Sequence, residues 1–163
     1  MIRAAAAADG AAILRIWNPV IRYTAATFNN VEKTGDEIGE LLAAKAGAGQ
    51  PFLLAEEAGQ VLGFATYGAF RGGVGYRRIA EHTILLDPSA HGRGLGRALM
   101  ATLETVARGQ DIASLMGGIS GENTAGIAFH RALGFQEVGR IPQAGWKFGR
   151  WMDLVLMQKI LSA

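Results

Sequence analysis

The stretch Ile84-Leu85-Leu86-Asp87-Pro88-Ser89-Ala90-His91-Gly92-Arg93-Gly94-Leu95-Gly96-Arg97-Ala98-Leu99 runs from an apolar strand through a Pro turn into Gly-x-Gly-x-Gly and then an amphipathic helix. A diphosphate needs several backbone N–H groups aimed at it. Side chains would block that approach, so Gly92, Gly94 and Gly96 suit the turn. A helix opening at Leu95 adds aligned N–H groups and a favourable dipole. Arg93 and Arg97 can add charge-assisted hydrogen bonds. Three alternatives compete. Tight packing alone can select glycines. A dinucleotide loop of Rossmann type belongs at the start of a domain, with an acid on the next strand; here the glycines fall past mid-chain, and the strand around Ile112 to Ile119 ends without an acid. A Walker loop needs Gly-Lys-Ser/Thr, which does not follow.

Other residues gather around this loop. Glu81 lies upstream on the same strand, where its side chain can face a cleft; an exposed carboxylate in a salt bridge is the alternative. His82 alternates to the opposite face, and Thr83 returns to the face of Glu81. Arg71, Arg77 and Arg78 precede them, and Arg can grip a carboxylate bidentately; for Arg78 a solvated basic loop is preferred. Asn123 starts a helix that carries His130, and an N-cap role for Asn123 is compatible with a second one.

The elements that must position these residues follow from periodicity. Ile2 to Ala7 reads as a short strand. Asp9 is expected to cap a helix bearing Ile13, Leu14, Ile16 and Trp17, ended by Pro19. Arg22 to Asn30 reads as a loop. Thr34 with Glu37 forms a capping box ahead of Ile38, Leu41 and Leu42. Phe52 to Ala55 and Val61 to Tyr67 form a hairpin around Glu56–Gln60. Arg71 to Gly75 is a Gly-rich loop and Ile79 to Leu86 a strand. A helix from about Gly94 to Ala107, a strand over Ile112 to Ile119, and a helix from Asn123 to Leu133 stopped by Gly134 come next. Phe135 to Ile141 and Trp151 to Gln158 close the chain as strands. The order β-α-α-β-β-β-α-β-α-β-β predicts a single α/β domain over residues 1–163, built around a mixed sheet.

Composition narrows the function. The chain has 163 residues, half of them hydrophobic, with a net charge of only +2. No Lys/Arg run suggests a nucleic-acid surface, and no stretch approaches membrane-spanning length without charges or glycines. The absence of Cys excludes disulfides, thiolate metal sites and a Cys nucleophile. Nothing in the sequence indicates a metal. Asp9 and Gly10 interrupt the alanine-rich start before a leader-like apolar region forms, and a cytoplasmic location is expected.

Two blocks at this separation and in this element order resemble the GNAT superfamily of N-acetyltransferases. His91-Gly92-Arg93-Gly94-Leu95-Gly96 matches its Gln/Arg-x-x-Gly-x-Gly/Ala motif except at the first residue. Asn123 to Phe135, ending Arg131-Ala132-Leu133-Gly134-Phe135, matches its second block. Arg71, Gly75-Tyr76-Arg77, Glu81-His82-Thr83, His130 and Lys147-Phe148-Gly149-Arg150-Trp151-Met152-Asp153 look like the subgroup that acetylates phosphinothricin, methionine sulfoximine and methionine sulfone. The position of Phe148 is often His in phosphinothricin-resistance members, so Phe148 points to the sulfone and sulfoximine branch. The resemblance covers nearly the whole chain and is weakest before Phe28 and around Glu40.

The resemblance implies a GNAT fold: a central mixed, mostly antiparallel sheet flanked by about four helices. It implies acetyl-CoA as co-substrate, a small-molecule amine as acceptor, and a homodimer with the C-terminal aromatic segment near the substrate end of the cleft. Gly92 to Arg97 would hold the pyrophosphate. The backbone of Ile84, Leu85 and Leu86 would pair with the pantetheine arm as an added strand does, and Asn123 would bond the same arm. Arg71, Gly72, Gly73, Glu81, His82 and Thr83 would contact the acceptor, helped by a bulge in the strand near His82. Glu81 becomes the candidate base, through a water relay or a raised pKa. His130 takes the position of a Tyr thought to protonate the leaving thiolate; a His on the helix surface beside Phe129 is the alternative. Acetylation of a protein N-terminus, and a non-catalytic acyl-CoA sensor, are the competing functions.

Overall fold

A computed structural model describes residues 1–162. Seven strands form one sheet in the order β1-β2-β3-β4-β5-β7-β6. They are β1 (Ile2–Ala4), β2 (Phe52–Glu57), β3 (Gln60–Ala69), β4 (Ile79–Leu86), β5 (Ser114–Ser120), β6 (Gln136–Lys147) and β7 (Arg150–Ile160). Four helices flank them: α1 (Gly10–Tyr23), α2 (Gly35–Gly47), α3 (Leu95–Gly109) and α4 (Thr124–Ala132). Every neighbouring pair is antiparallel except β4 and β5. The element order and the mixed, mostly antiparallel sheet are those expected from the sequence.

The sheet is covered on both faces. Ile13 and Ile16 of α1 and Ile38 and Leu42 of α2 pack against Phe52, Leu54 and Phe64 on one face. Leu99, Met100 and Leu103 of α3 pack with Leu53, Leu115, Phe135 and Met157 on the other. The capping box opens α2 as expected: the Glu37 N–H donates to Thr34 Oγ1 (3.2 Å), and the Thr34 N–H donates to Glu37 Oε2 (2.6 Å). Two hairpins close through two-residue turns with positive φ at both positions, Ala58-Gly59 (50° and 77°) and Phe148-Gly149 (54° and 72°), the geometry that matches strand twist.

Several local expectations are corrected. β6, expected to end at Ile141, runs on to Lys147. β1 stops at Ala4, because the chain enters a 3-10 turn at Ala7–Asp9. Asp9 does not cap α1: its carboxylate accepts the Ala6 N–H (2.7 Å) and pairs with Arg3 (2.8 Å). Pro19 does not end α1, which runs on to Tyr23. Loss of one N–H and the ring clash cost roughly 3 kcal/mol in a helix interior. Complete burial of Ile21 and the closing bonds from the Thr24 N–H and hydroxyl to the Val20 carbonyl (3.2 and 2.7 Å) outweigh that here.

Candidate functional site

The parallel pair at the centre of the sheet is short. β4 and β5 are in register only over Ile79↔Ser114, Ala80↔Leu115 and Glu81↔Met116. Beyond Glu81 the strands part, while β4 stays paired with β3 through Leu86 and β5 with β7 through Ser120. A cleft of about 330 Å³ opens in the gap. Glu81 to Leu85 line one side, Gly117 to Ser120 the other, with Asn123 and His130 behind and Trp17, Phe28 and Lys33 in front. Each strand turns a free backbone edge toward this gap. The expected bulge is not there: β3 and β4 pair without a register shift from Ala69↔Ala80 to Gly63↔Leu86. Divergence of β4 from β5 opens the strand in its place.

Strand alternation divides the chemistry between the two faces. Glu81 points to the face covered by α1 and α2. Partial burial in the cleft raises its carboxyl above the usual range. His82 points the other way and meets His130, Nε2 to Nε2 at 2.8 Å. Both rings are buried. His130 is not on the helix surface; it packs edge-on against Phe129 and Phe135. Its Nδ1 lies 2.7 Å from the Gly126 carbonyl, so Nδ1 carries a proton and donates it. In the neutral pair His130 Nε2 therefore accepts from His82 Nε2–H, which leaves His82 Nδ1 buried without a partner. Desolvation first, then the neighbouring His130, pushes the His82 pKa down to about 3; desolvation also lowers that of His130.

Two glycines in β5 make room for these side chains. A Cβ on Gly117 would meet His82 Cε1 at 3.1 Å, and one on Gly118 would meet Glu81 Oε1 at 3.4 Å. A Gly pair inside a strand is a sequence signal for such a close approach, and these two were missed, as were Trp17, Phe28, Lys33 and Ser120. The front-wall residues carry no comparable signal, since they come from a helix face and an irregular loop.

The glycine turn has the geometry of an anion cradle. Gly92 and Gly94 have φ of 74° and 79°, and a Cβ at either would meet nothing within 4 Å. Gly96 has another role, because a Cβ there would press on Leu86 and Phe129, both at 3.1 Å. The N–H groups of Leu95, Gly96 and Arg97 open α3 and have no acceptor within the helix. Arg97 is exposed, whereas Arg93 is engaged by Glu57. Asn123 Oδ1 accepts the Gly126 N–H (2.9 Å), capping α4, and its amide NH2 remains available in the cleft. Open glycines, free helix N–H groups and two unpaired strand edges fit a long ligand with a diphosphate at one end and amides along its arm.

The remaining candidates lie outside the cleft lining. Arg71, Gly72 and Gly73 are in the exposed β3–β4 loop, with the Arg71 guanidinium over the Tyr76 ring at 5.5 Å. Arg78, expected in a solvated basic loop, is exposed and pairs with Asp111 (2.6 Å). Phe148 is at the exposed tip of the β6–β7 hairpin. Among the described residues no group of His, Asp or Glu is arranged to hold a metal ion, and no helix is long and apolar enough to cross a membrane.

Comparisons with known proteins agree with this architecture. Residues 2–156 match the acetyltransferase (GNAT) domain family. An L-amino acid N-acyltransferase, MnaT, of Escherichia coli is 40% identical over 157 residues, covering 96% of this chain and 91% of its own. An L-methionine sulfoximine/L-methionine sulfone acetyltransferase of Salmonella typhimurium is also 40% identical, covering 96% and 92%. The crystal structure of a phosphinothricin acetyltransferase from Sinorhizobium meliloti in complex with acetyl-CoA superposes with a TM-score of 0.94 at 34% identity, covering 99% of this chain and 88% of that one. With its split sheet, glycine turn and nearly full-length match, the chain belongs to the GNAT family of acetyltransferases.

Proposed function

We propose that this chain transfers an acetyl group from acetyl-CoA to the α-amine of a small amino acid analogue of the methionine sulfone, methionine sulfoximine or phosphinothricin type. The observation that carries the reading is the cleft between the parted β4 and β5, with Glu81 on one wall; the glycine turn follows in sequence where β4 ends at Leu86. The names and overall likeness of the relatives support the choice of acceptor. Bound acetyl-CoA supplies the activated thioester carbonyl.

The chain's residues supply the rest. Gly92, Gly94 and the first N–H groups of α3 hold the diphosphate, with Arg97 adding charge. The edges of Ile84 to Leu86, and the Asn123 amide, hold the amide-rich arm. Glu81 takes the proton of the attacking amine through a water, and its raised pKa makes it a better base than an ordinary carboxylate. His130 is the candidate for returning a proton to the thiolate, and it acts with His82 as a unit. The His130 Nδ1 proton is committed to Gly126, and the neutral pair has no acidic proton of its own. The pair must therefore first take up at Nε2 the proton that the amine releases and then hand it to the thiolate. Arg71, Gly72 and Gly73 contact the acceptor by folding in from their exposed loop. The Lys147 ammonium lies 4.9 Å from the Phe148 ring, and Phe148 favours sulfone and sulfoximine over phosphinothricin.

We assign the active form to a homodimer in the cytoplasm. The outward faces of Trp146 and Trp151, whose rings meet edge to face at 5.0 Å, and of Phe148 are each more than half exposed. Aromatic surface of this kind is typical of an interface.

The test compares specificity constants for methionine sulfone, methionine sulfoximine, phosphinothricin, methionine and a short peptide, following release of free thiol. Methionine sulfone or sulfoximine is expected to lead. Preference for the peptide would move the assignment to protein acetylation, and no transfer to any amine would leave an acyl-CoA sensor. Glu81→Gln is expected to reduce turnover by about a hundredfold or more with acetyl-CoA affinity retained. Wild-type turnover across the pH range would remove Glu81 from its role.

A further inference from the structure

The front wall of the cleft is built from an irregular segment. Ala26, Thr27, Phe28 and Asn29 line the same cavity as Glu81 and belong to no helix or strand. Side chains within the segment tie it only locally: the Ala26 N–H donates to Thr24 Oγ1 and the Asn29 N–H to Thr27 Oγ1, both at 3.2 Å. Such a wall has no ladder to hold its shape, and its position relative to Glu81 must come from elsewhere.

Two observations on β6 show where. Lys147 is 3% exposed, and its ammonium donates to two backbone carbonyls, Thr24 (2.7 Å) and Thr27 (2.9 Å). These carbonyls lie more than a hundred residues away in sequence and bracket the turn that leads into Phe28. Independently, Gly145, two residues before Lys147 on the same face of the strand, sits directly under Phe28; a Cβ there would run into the ring. A buried ammonium is expensive, and desolvation lowers the Lys147 pKa. Its placement makes physical sense as a clamp, since carbonyls at the ends of a loop turn offer good acceptors and add no negative charge to the acceptor cavity.

We propose that Lys147 is a positioning residue for the acceptor: it fixes the Thr24–Thr27 turn so that Phe28, seated on Gly145, forms a wall of the cavity that Glu81 lines. The proposal rests on reading this cleft as the acceptor site. The clamp acts on the acceptor half only, because the glycine turn and Asn123 are held by other elements.

The experiment uses the full chain and three variants, Lys147→Met, Gly145→Ala and Phe28→Ala. Lys147→Met keeps the length and apolar stem while removing the donors. It is expected to raise KM for methionine sulfone at least tenfold, leave kcat within about threefold and leave the acetyl-CoA Kd unchanged by calorimetry. Hydrogen exchange is expected to accelerate in residues 24–33 and not in β4 or α3. Phe28→Ala changes one side chain of the irregular loop and leaves the clamp in place. It is expected to give the same KM change, and the double variant with Lys147→Met is expected to add little to either. Gly145→Ala is expected to raise KM by displacing Phe28.

An unchanged acceptor KM in Lys147→Met, or loop exchange equal to wild type, would overturn the clamp. An unchanged KM in Phe28→Ala would overturn the role of the wall even if Lys147→Met proved too unstable to assay. Failure of the wild type to acetylate any amino acid analogue is a separate result. It would remove the acceptor reading, while the exchange comparison still decides whether Lys147 holds the segment.

Discussion

A single hydrogen bond between two imidazoles sets the character of the site. His82 and His130 are both neutral at physiological pH, and their Nε2 atoms share one proton at 2.8 Å. The consequence for stability can be signed. In the unfolded chain His82 binds a proton near its ordinary value of 6.5, whereas in the folded protein it does so only at about 3. Between those values the unfolded state holds more protons, so stability falls as pH falls, by up to about 1.4 kcal/mol per pH unit for this one group. His82→Gln can still donate to His130 and no longer titrates. Its unfolding midpoint between pH 6.5 and 4 is expected to fall less steeply than that of wild type, as read by denaturant titration at several pH values. Equal slopes would mean that His82 is accessible to protons in the native state.

At the scale of elements, the glycine turn is where conformation and ligand binding coincide. Gly94 has φ of 79° and opens α3, and a Cβ on it would have nothing within 4 Å. Gly94→Val both fills that space and forces a β-branched residue into the left-handed region. Acetyl-CoA affinity is expected to be lost in calorimetry while far-UV circular dichroism stays that of a folded α/β protein. Retained affinity in the folded variant would remove the turn from binding. This turn, the capping box of α2 and the limits of β4 were legible in the sequence because local spacing alone determines them. Glu81 and Asn123, which both line the cleft, were singled out for their roles only by the resemblance, not by local spacing. The run of α1 through Pro19 was not, since burial of Ile21 outweighs a local preference. Nor was the pairing of His82 with His130: 48 residues separate them in sequence, and only the passage of α4 behind β4 brings the rings together. The bulge that the resemblance implied near His82 is replaced by the parting of β4 and β5. Spacing along one strand could not have shown this, since it says nothing about where a neighbouring strand leaves.

For the whole molecule, the decisive feature is that one hairpin turns a buried face inward and an aromatic face outward. Gly145 and Lys147 point inward to the wall of the cleft, while Trp146, between them, points outward with Trp151. If two chains associate through those indoles, the surface that brings them together and the strand that shapes the acceptor cavity are the same few residues of β6. Assembly and catalysis then become linked by mass action. Protein concentration would then act on the acceptor site as a ligand does, because a bound second copy would restrain the hairpin that carries the clamp. Specific activity is expected to fall on dilution across the dimer dissociation range measured by analytical ultracentrifugation, chiefly through a rising acceptor KM, and Trp146→Ser is expected to shift that range upward. A sedimentation profile of monomer at every concentration, or specific activity that is flat across the transition, would separate the two faces. If the chain dimerises through this face, the strand alternation that places Trp146 outside and Lys147 inside makes turnover a function of how much enzyme is present.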